Sequence, residues 1–132
     1  MASKGTHVKV LSIRQPWAHA IMRLGKDVEN RSWPTHYRGP LLIHAGKTPD
    51  RSAFPVLNVD RRAIEYGAIV GIVDLVDCRQ DAEATSSWAV AGMWHWVLDA
   101  PREFEPIPCP GQLRLFDAPQ LIRKRVERLL TR

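Results

Sequence analysis

Cysteine is scarce in this chain: Cys78 and Cys109 are the two in 132 residues. They lie far apart, with neither Cys-x-x-Cys nor histidine spacing, so two free buried thiols are expected rather than a disulfide or a zinc site. Long apolar runs are missing as well. None reaches the roughly 18 residues that a membrane helix needs, which excludes a helical span. The opening "MASKGTHVKV" has no apolar stretch behind its charges. It does not read as a signal peptide, and a cytoplasmic location is expected. No His-x-x-x-His, paired-cysteine or aspartate-rich pattern occurs, so no metal or other cofactor is expected. Ser12, Ser86 and Ser87 lack a Gly-x-Ser-x-Gly setting, which leaves a Ser-His-Asp triad without support. Phosphate-cradling glycine loops, internal repeats, low-complexity segments and domain linkers are absent too.

The residues that are present suffice for one packed domain, since 45% of them are apolar. That domain is expected over residues 1–132, with a core over about 8–118 and a basic C-terminal helix over about 119–132. The net charge is +5, and the tail "IRKRVERLLTR" holds five Arg or Lys against one Glu. Such a balance suits a polyanionic partner, although a solvated helical face produces the same pattern.

Residues 8–14, "VKVLSIR", alternate as a strand does. Pro16 suits a first helical turn, and Trp17, Ala20, Ile21 and Leu24 form an apolar stripe behind it. Gly25 is placed to end that helix in the left-handed conformation. Residues 28–33 read as extended, stopped by Pro34. "GPLLIHAGK", "GAIVGIVDLVDC" and "MWHWVLDA" read as strands. Residues 49–66 form a looser helical excursion broken by Pro55. "PREFEPIPCPG" suits sheet edges and turns, and "QLRLFDA" closes the sheet. Many short strands with one early helix point to a small mixed or antiparallel barrel rather than a βαβ fold.

The densest chemistry lies in "GKDVENR". In an extended segment, Glu29 and Arg31 share a face while Val28 and Asn30 take the other, and Lys26 swings toward Glu29 from the helix exit. In a concave site such a lysine can act as base, nucleophile or anion clamp; on a surface the pair contributes little. Five tryptophans are a high count for this length. Trp94 and Trp96 suit core filling, whereas Trp17 and Trp33 flank the charged cluster and offer stacking surface for a base. His44 and His95 each lie in an apolar strand, the usual place of a hydrogen-bonded core histidine. Asp74 and Asp77 end the strongest strand without an evident role.

Taken together, "LSIRQPWAHAIMRLGKDVENRSW" resembles the ASCH domain, a branch of the PUA-like superfamily. The family signature is Gly-x-Lys-x-x-Glu-x-Arg after the first helix. Lys26, Glu29 and Arg31 match it in residue and spacing; its glycine position holds Leu24, with Gly25 directly before the lysine. "RGPLLIHAGK", "GAIVGIVDLVDC" and "WHWVLDAPREFEPIPC" follow the bacterial ASCH pattern, so the resemblance runs from about Val8 to Phe116. It implies an α+β fold, a small PUA-like β-barrel with helices covering its ends, and a cleft beside the signature that faces RNA or a nucleobase.

Family members resemble two classes, small amidohydrolases of N4-acylated cytidine and RNA-binding proteins with ribonuclease or coactivator roles. In the amidohydrolases the catalytic lysine matches Lys26. The hydroxyl residue three positions later falls on Glu29, which removes a threonine nucleophile. Asp74, Asp77 and Glu83 are the possible third carboxylates. The expected function is therefore hydrolysis of an N4-acylated cytidine or a related modified pyrimidine nucleoside, by a monomer. Lys26, Glu29 and Arg31 are the catalytic candidates, and Gln15, Trp17, Trp33 and Asp74 the substrate-binding ones. Glu29 can deprotonate water while Lys26 or Arg31 stabilises the oxyanion, or Lys26 can take the proton itself. Replacing Lys26, at a helix exit, is expected to cost little stability. The rival is an RNA- or modified-base-binding module, or a ribonuclease, using the same cleft.

Overall fold

β-Branched and apolar runs build a sheet that is buried on both of its faces. The computed structural model describes residues 8–81 and 86–131. The opening residues 1–7, where a signal peptide is not expected, lie outside these, as do Glu83 and the last residue of the basic tail. The elements are β1 (Lys9–Ile13), α1 (Trp17–Arg23), β2 (Val28–Arg31), β3 (Gly39–Ala45), α2 (Ala53–Leu57), β4 (Ala68–Arg79), β5 (Trp94–Pro108), β6 (Leu115–Asp117) and α3 (Gln120–Leu130). They form one curled, open six-stranded half-barrel in the order β2-β5-β4-β3-β1-β6, with three helices. The fold is α+β and PUA-like, as expected, with β2 and β6 as its edges.

The sheet is mixed. β1 and β3 run parallel, in the register Ser12↔His44, and the other pairs are antiparallel. Alternation along β1 and β3 sends Leu11, Ile13, Leu41 and Ile43 to a core shared with Ala18 and Ile21 of α1. Val10 and Leu42 go to the opposite core, where Val126 of α3 packs with Ile107 and Phe116. Burial on both faces explains why "PLLIHA" and "AIVGIVDL" read as near-continuous apolar runs rather than clean alternation.

Two segments differ from expectation, and in both a proline expected to interrupt the element lies within it. β5 continues to Pro108 instead of stopping near Ala100. Between Asp74↔Asp99 and Ile72↔Arg102, three steps of β5 face two of β4, so Ala100 (φ 51°) and Pro101 sit in a bulge. Placing Pro101 at a bulge spares the ladder a missing donor and curls the strand. The looser excursion contracts to the single short helix α2, which contains Pro55 and ends on Asn58 in the left-handed region.

Gly71 of β4 packs directly beneath the Met22 side chain of α1. A β-carbon there would lie 2.7 Å from the Arg102 carbonyl oxygen and collide with the Met22 sulfur. Gly71→Ala is expected to destabilise the protein by about 1–3 kcal/mol, read as a lower midpoint in urea at unchanged slope. An unchanged midpoint would show that α1 does not depend on this contact.

Candidate functional site

The ion cluster in the signature is assembled by two local devices. Gly25, at φ 76°, reverses the chain after α1 so that the Lys26 N–H reaches the Ala20 carbonyl at 3.1 Å. β2 then pairs with β5 in the register Glu29↔Trp96 and Arg31↔Trp94, which puts Glu29 and Arg31 on one face. The shared face expected from spacing is therefore the observed one.

Lys26 is only 5% exposed and Glu29 7%. The Lys26 Nζ donates to Glu29 Oε1 at 2.9 Å and to the Val28 carbonyl. Arg31 Nε donates to Glu29 Oε2 at 3.1 Å, and its Nη2 to the Ser12 carbonyl at 2.8 Å. Each carboxylate oxygen thus meets one cation, and the third element in contact is β1. Ions this deeply withdrawn from water persist because each has a partner. The premise that Lys26 can be replaced at little cost in stability does not hold: its ammonium lies inside, not at a solvated helix exit.

A cleft of about 780 Å³ opens beside this cluster, at the C-terminal ends of the parallel strands β1 and β3. Its lining includes Ser12, Arg14, Trp17, Glu29, Arg31, His44, Lys47, Asp50 and the segment 109–114. Four cations (Arg14, Arg31, Lys47, Arg114) face two carboxylates (Glu29, Asp50). Asp50 is engaged already, accepting the Trp17 indole N–H at 2.9 Å, and Glu29 is engaged by Lys26 and Arg31. The uncompensated charge of the cleft is positive. Trp17 covers the Lys26 ammonium, which stands 5.8 Å from the ring centre. Lys26 is not among the lining residues; it holds Glu29 from behind.

The remaining candidates divide. Trp33 packs edge-on against Trp96, with centroids 4.8 Å apart, and carries the Arg114 guanidinium 5.0 Å above its ring. It supports the cleft wall through Arg114. Gln15 is 2% exposed, donates to the Glu65 carbonyl and accepts the His19 N–H. Its amide faces away from the cleft, toward a smaller pocket of about 440 Å³ that also includes His19 and Arg23. Asp74 pairs along β4 with Asp99 and does not line the cleft. Asp77 joins a surface cluster with Arg38 and Arg79; the Cys78 N–H and Arg79 hold its carboxyl below the usual range. Glu83 lies outside the described residues. Among the described residues, no group of three His, Cys, Asp or Glu is placed to hold a metal ion. No helix among them is long and apolar enough to cross a membrane.

Sequence reading missed Lys47, Asp50, Arg114 and the pairing of Ser12 with His44. Ser12 Oγ lies 2.9 Å from His44 Nδ1, and His44 Nε2 lies 2.6 Å from the Cys109 carbonyl oxygen. The only signal was parity. A serine and a histidine in strands that pair parallel, in register, must fall on the same face, and that register is invisible until β1 and β3 meet.

A family model, the ASCH domain, matches residues 11–108, and the chain belongs to that family. Over 80 residues it is 40% identical to activating signal cointegrator 1 of Mus musculus and 39% identical to the same protein of Homo sapiens. Each match covers 52% of this chain and 14% of the relative, so the chain spans about a seventh of those proteins. Among solved structures it is similar to that of a mutant ZmASCH protein from Zymomonas mobilis, with a TM-score of 0.62. That match has 16% identity and covers 93% of this chain and 98% of the other, a likeness of fold alone.

Burial of the Lys26–Glu29–Arg31 cluster predicts a stability cost for replacing Lys26. Lys26→Met should cost about 3 kcal/mol in urea unfolding, toward the lower end for a broken buried pair because Arg31 still holds Oε2. Adding Glu29→Gln should recover part of that loss, since no buried charge then lacks its lysine. Additive losses in the double variant would show that the two groups do not interact.

Burial pushes the His44 imidazole below its ordinary value, only partly offset by the Cys109 carbonyl. Burial and the neighbouring Arg23 lower His19 as well. Unfolded histidines take up a proton as pH falls through about 6.5, while these two stay neutral longer in the fold. Stability is therefore full above that pH and declines below it. The melting temperature should drop between about pH 7 and 5.5, and by less in His44→Gln. Equal drops in both proteins would remove His44 from the cause.

Proposed function

We propose that the cleft binds single-stranded RNA, holding one or two nucleotides against Trp17 with the flanking phosphates on Arg14, Lys47 and Arg114. The observation that carries this reading is the positive ring around an indole-walled opening. Arg14, Lys47 and Arg114 are exposed there and outnumber the acidic groups, of which Glu29 is ion-paired and Asp50 accepts the Trp17 indole N–H. A volume of about 780 Å³ suits a bound nucleotide rather than a double helix. Aromatic surface tolerates any base, and the cations supply the sequence-independent part of the affinity. Arg114 stacked on Trp33 presents a planar guanidinium, which can pair with phosphate in two-pronged fashion.

A second reading is favoured by one specific feature, the Glu29 carboxylate on the cleft wall beside Arg31. In that reading the chain hydrolyses the exocyclic amide of an N4-acylated cytidine. Glu29 takes a proton from the attacking water, and the Arg31 guanidinium meets the charge that develops on the carbonyl oxygen. Lys26, withdrawn behind Trp17, positions Glu29 and does not touch substrate. The binding cleft is common to both readings.

Salt dependence tests the RNA reading. Affinity for a short single-stranded RNA should fall steeply as salt rises, whereas binding of the free nucleoside should barely respond. Replacing Arg14 and Lys47 together by glutamine should lower the log–log slope by about 1.4, roughly 0.7 for each phosphate that is no longer neutralised. A slope equal to wild type would place the phosphates elsewhere. N4-acetylcytidine hydrolysis, assayed in parallel on wild type and Glu29→Gln, decides the second reading.

A further inference from the structure

Ser12 and His44 form a hydrogen-bonded pair that neither reading above employs. The Cys109 carbonyl can only accept, so the 2.6 Å contact at Nε2 requires the proton on that nitrogen. Nδ1 then carries a lone pair, and the 2.9 Å contact from Ser12 must be the hydroxyl donating to it. The imidazole is 1% exposed, and its tautomer and ring plane are both held, which is what a base needs from its third partner. Both side chains line the cleft. Gly111 passes over them: a β-carbon on that residue would lie 2.8 Å from Ser12 Oγ and 2.9 Å from His44 Cε1. Because residue 111 carries no side chain, the hydroxyl keeps room beside it.

We propose that Ser12 is a nucleophile activated by His44, and that the cleft accepts an acyl or phosphonyl group on Ser12 Oγ. In an acyl transfer, the Oγ–carbon bond forms as the proton passes from Oγ to Nδ1. The leaving group departs with that proton when its bond to the carbonyl carbon breaks. Water then attacks the acyl-serine, gives its proton to Nδ1, and Oγ recovers it as the carboxylic acid leaves. The Cys109 carbonyl dipole stabilises the transient imidazolium through Nε2–H. Arg31, whose Nη2 is fixed on the Ser12 carbonyl at 2.8 Å, is the neighbouring cation for the oxyanion. Burial keeps His44 neutral near neutral pH, the form that can take a proton. The inference does not depend on RNA or N4-acylcytidine as ligand, because the nucleophile is defined by its own three-atom geometry.

The test is covalent labelling of the full chain by an alkyl fluorophosphonate, read by mass spectrometry and peptide mapping. Attack by Oγ forms the oxygen–phosphorus bond, breaks phosphorus–fluorine and leaves the proton on His44. One adduct is expected, on the peptide carrying Ser12, and it should disappear in Ser12→Ala but persist in the exposed-serine control Ser87→Ala. His44→Gln retains an N–H for the Cys109 carbonyl and removes the base, so labelling should slow by about 100-fold or more while the melting temperature stays above the assay temperature. An adduct on any other residue overturns the proposal. So does the absence of an adduct on folded wild type, or labelling of His44→Gln at the wild-type rate. If His44→Gln does not fold, the site of the wild-type adduct decides alone.

Discussion

The Glu29 carboxylate stands between Lys26 and Arg31, and this buried arrangement joins three elements that the chain would otherwise leave independent. Lys26 comes from the turn after α1, Glu29 and Arg31 from the edge strand β2, and Arg31 reaches across to the backbone of β1. An edge strand of four residues has little ladder of its own to hold it. Here one side pairs with β5, and the side chains anchor the strand to the opposite end of the sheet. Charges make that anchor directional: a hydrophobic contact would tolerate sliding, whereas two cations on two carboxylate oxygens accept one register.

The same cluster shapes the cleft. Because Lys26 is spent on Glu29 and the Val28 carbonyl, Trp17 can lie over it, with the indole N–H fixed by Asp50. The wall is therefore a rigid aromatic backed by a cation, not a mobile lysine. The lining segment 109–114 is tied down through the Cys109 N–H to the Gly67 carbonyl and through the Cys109 carbonyl to His44. Arg114 then turns onto Trp33 from a left-handed backbone, φ 59°. The positive surface of the cleft comes from residues scattered over the chain, while the basic helix α3 packs on the opposite core. Net charge alone pointed to a polyanion without locating it.

Much of the architecture was legible from local pattern. The helix after Pro16, its stop at Gly25, the extended segment with Glu29 and Arg31 on one face, and the strands of β1, β3 and β4 all follow from periodicities of 3.6 and 2 and from one residue suited to positive φ. Membership of the ASCH family was legible too, from the ordered blocks. The reading broke where long-range contacts overruled local chemistry. Prolines in "PREFEPIP" mark a strand end by propensity, yet β4 offers a partner long enough for bulges to absorb Pro101. Gln15 looks like a base reader beside Trp17, but backbone partners at Glu65 and His19 capture its amide.

The sequence by itself determined most of the elements, the family and the side-chain order within β2, because each depends on spacing between near neighbours. Tertiary structure alone decided that Lys26 is buried and that Asp74 stands away from the cleft. It also decided that Ser12 meets His44 from 32 positions away. Those outcomes depend on which strands pair and in what register, and on how much water remains beside each charge. Both are set by packing of the whole sheet, which no short window of residues encodes.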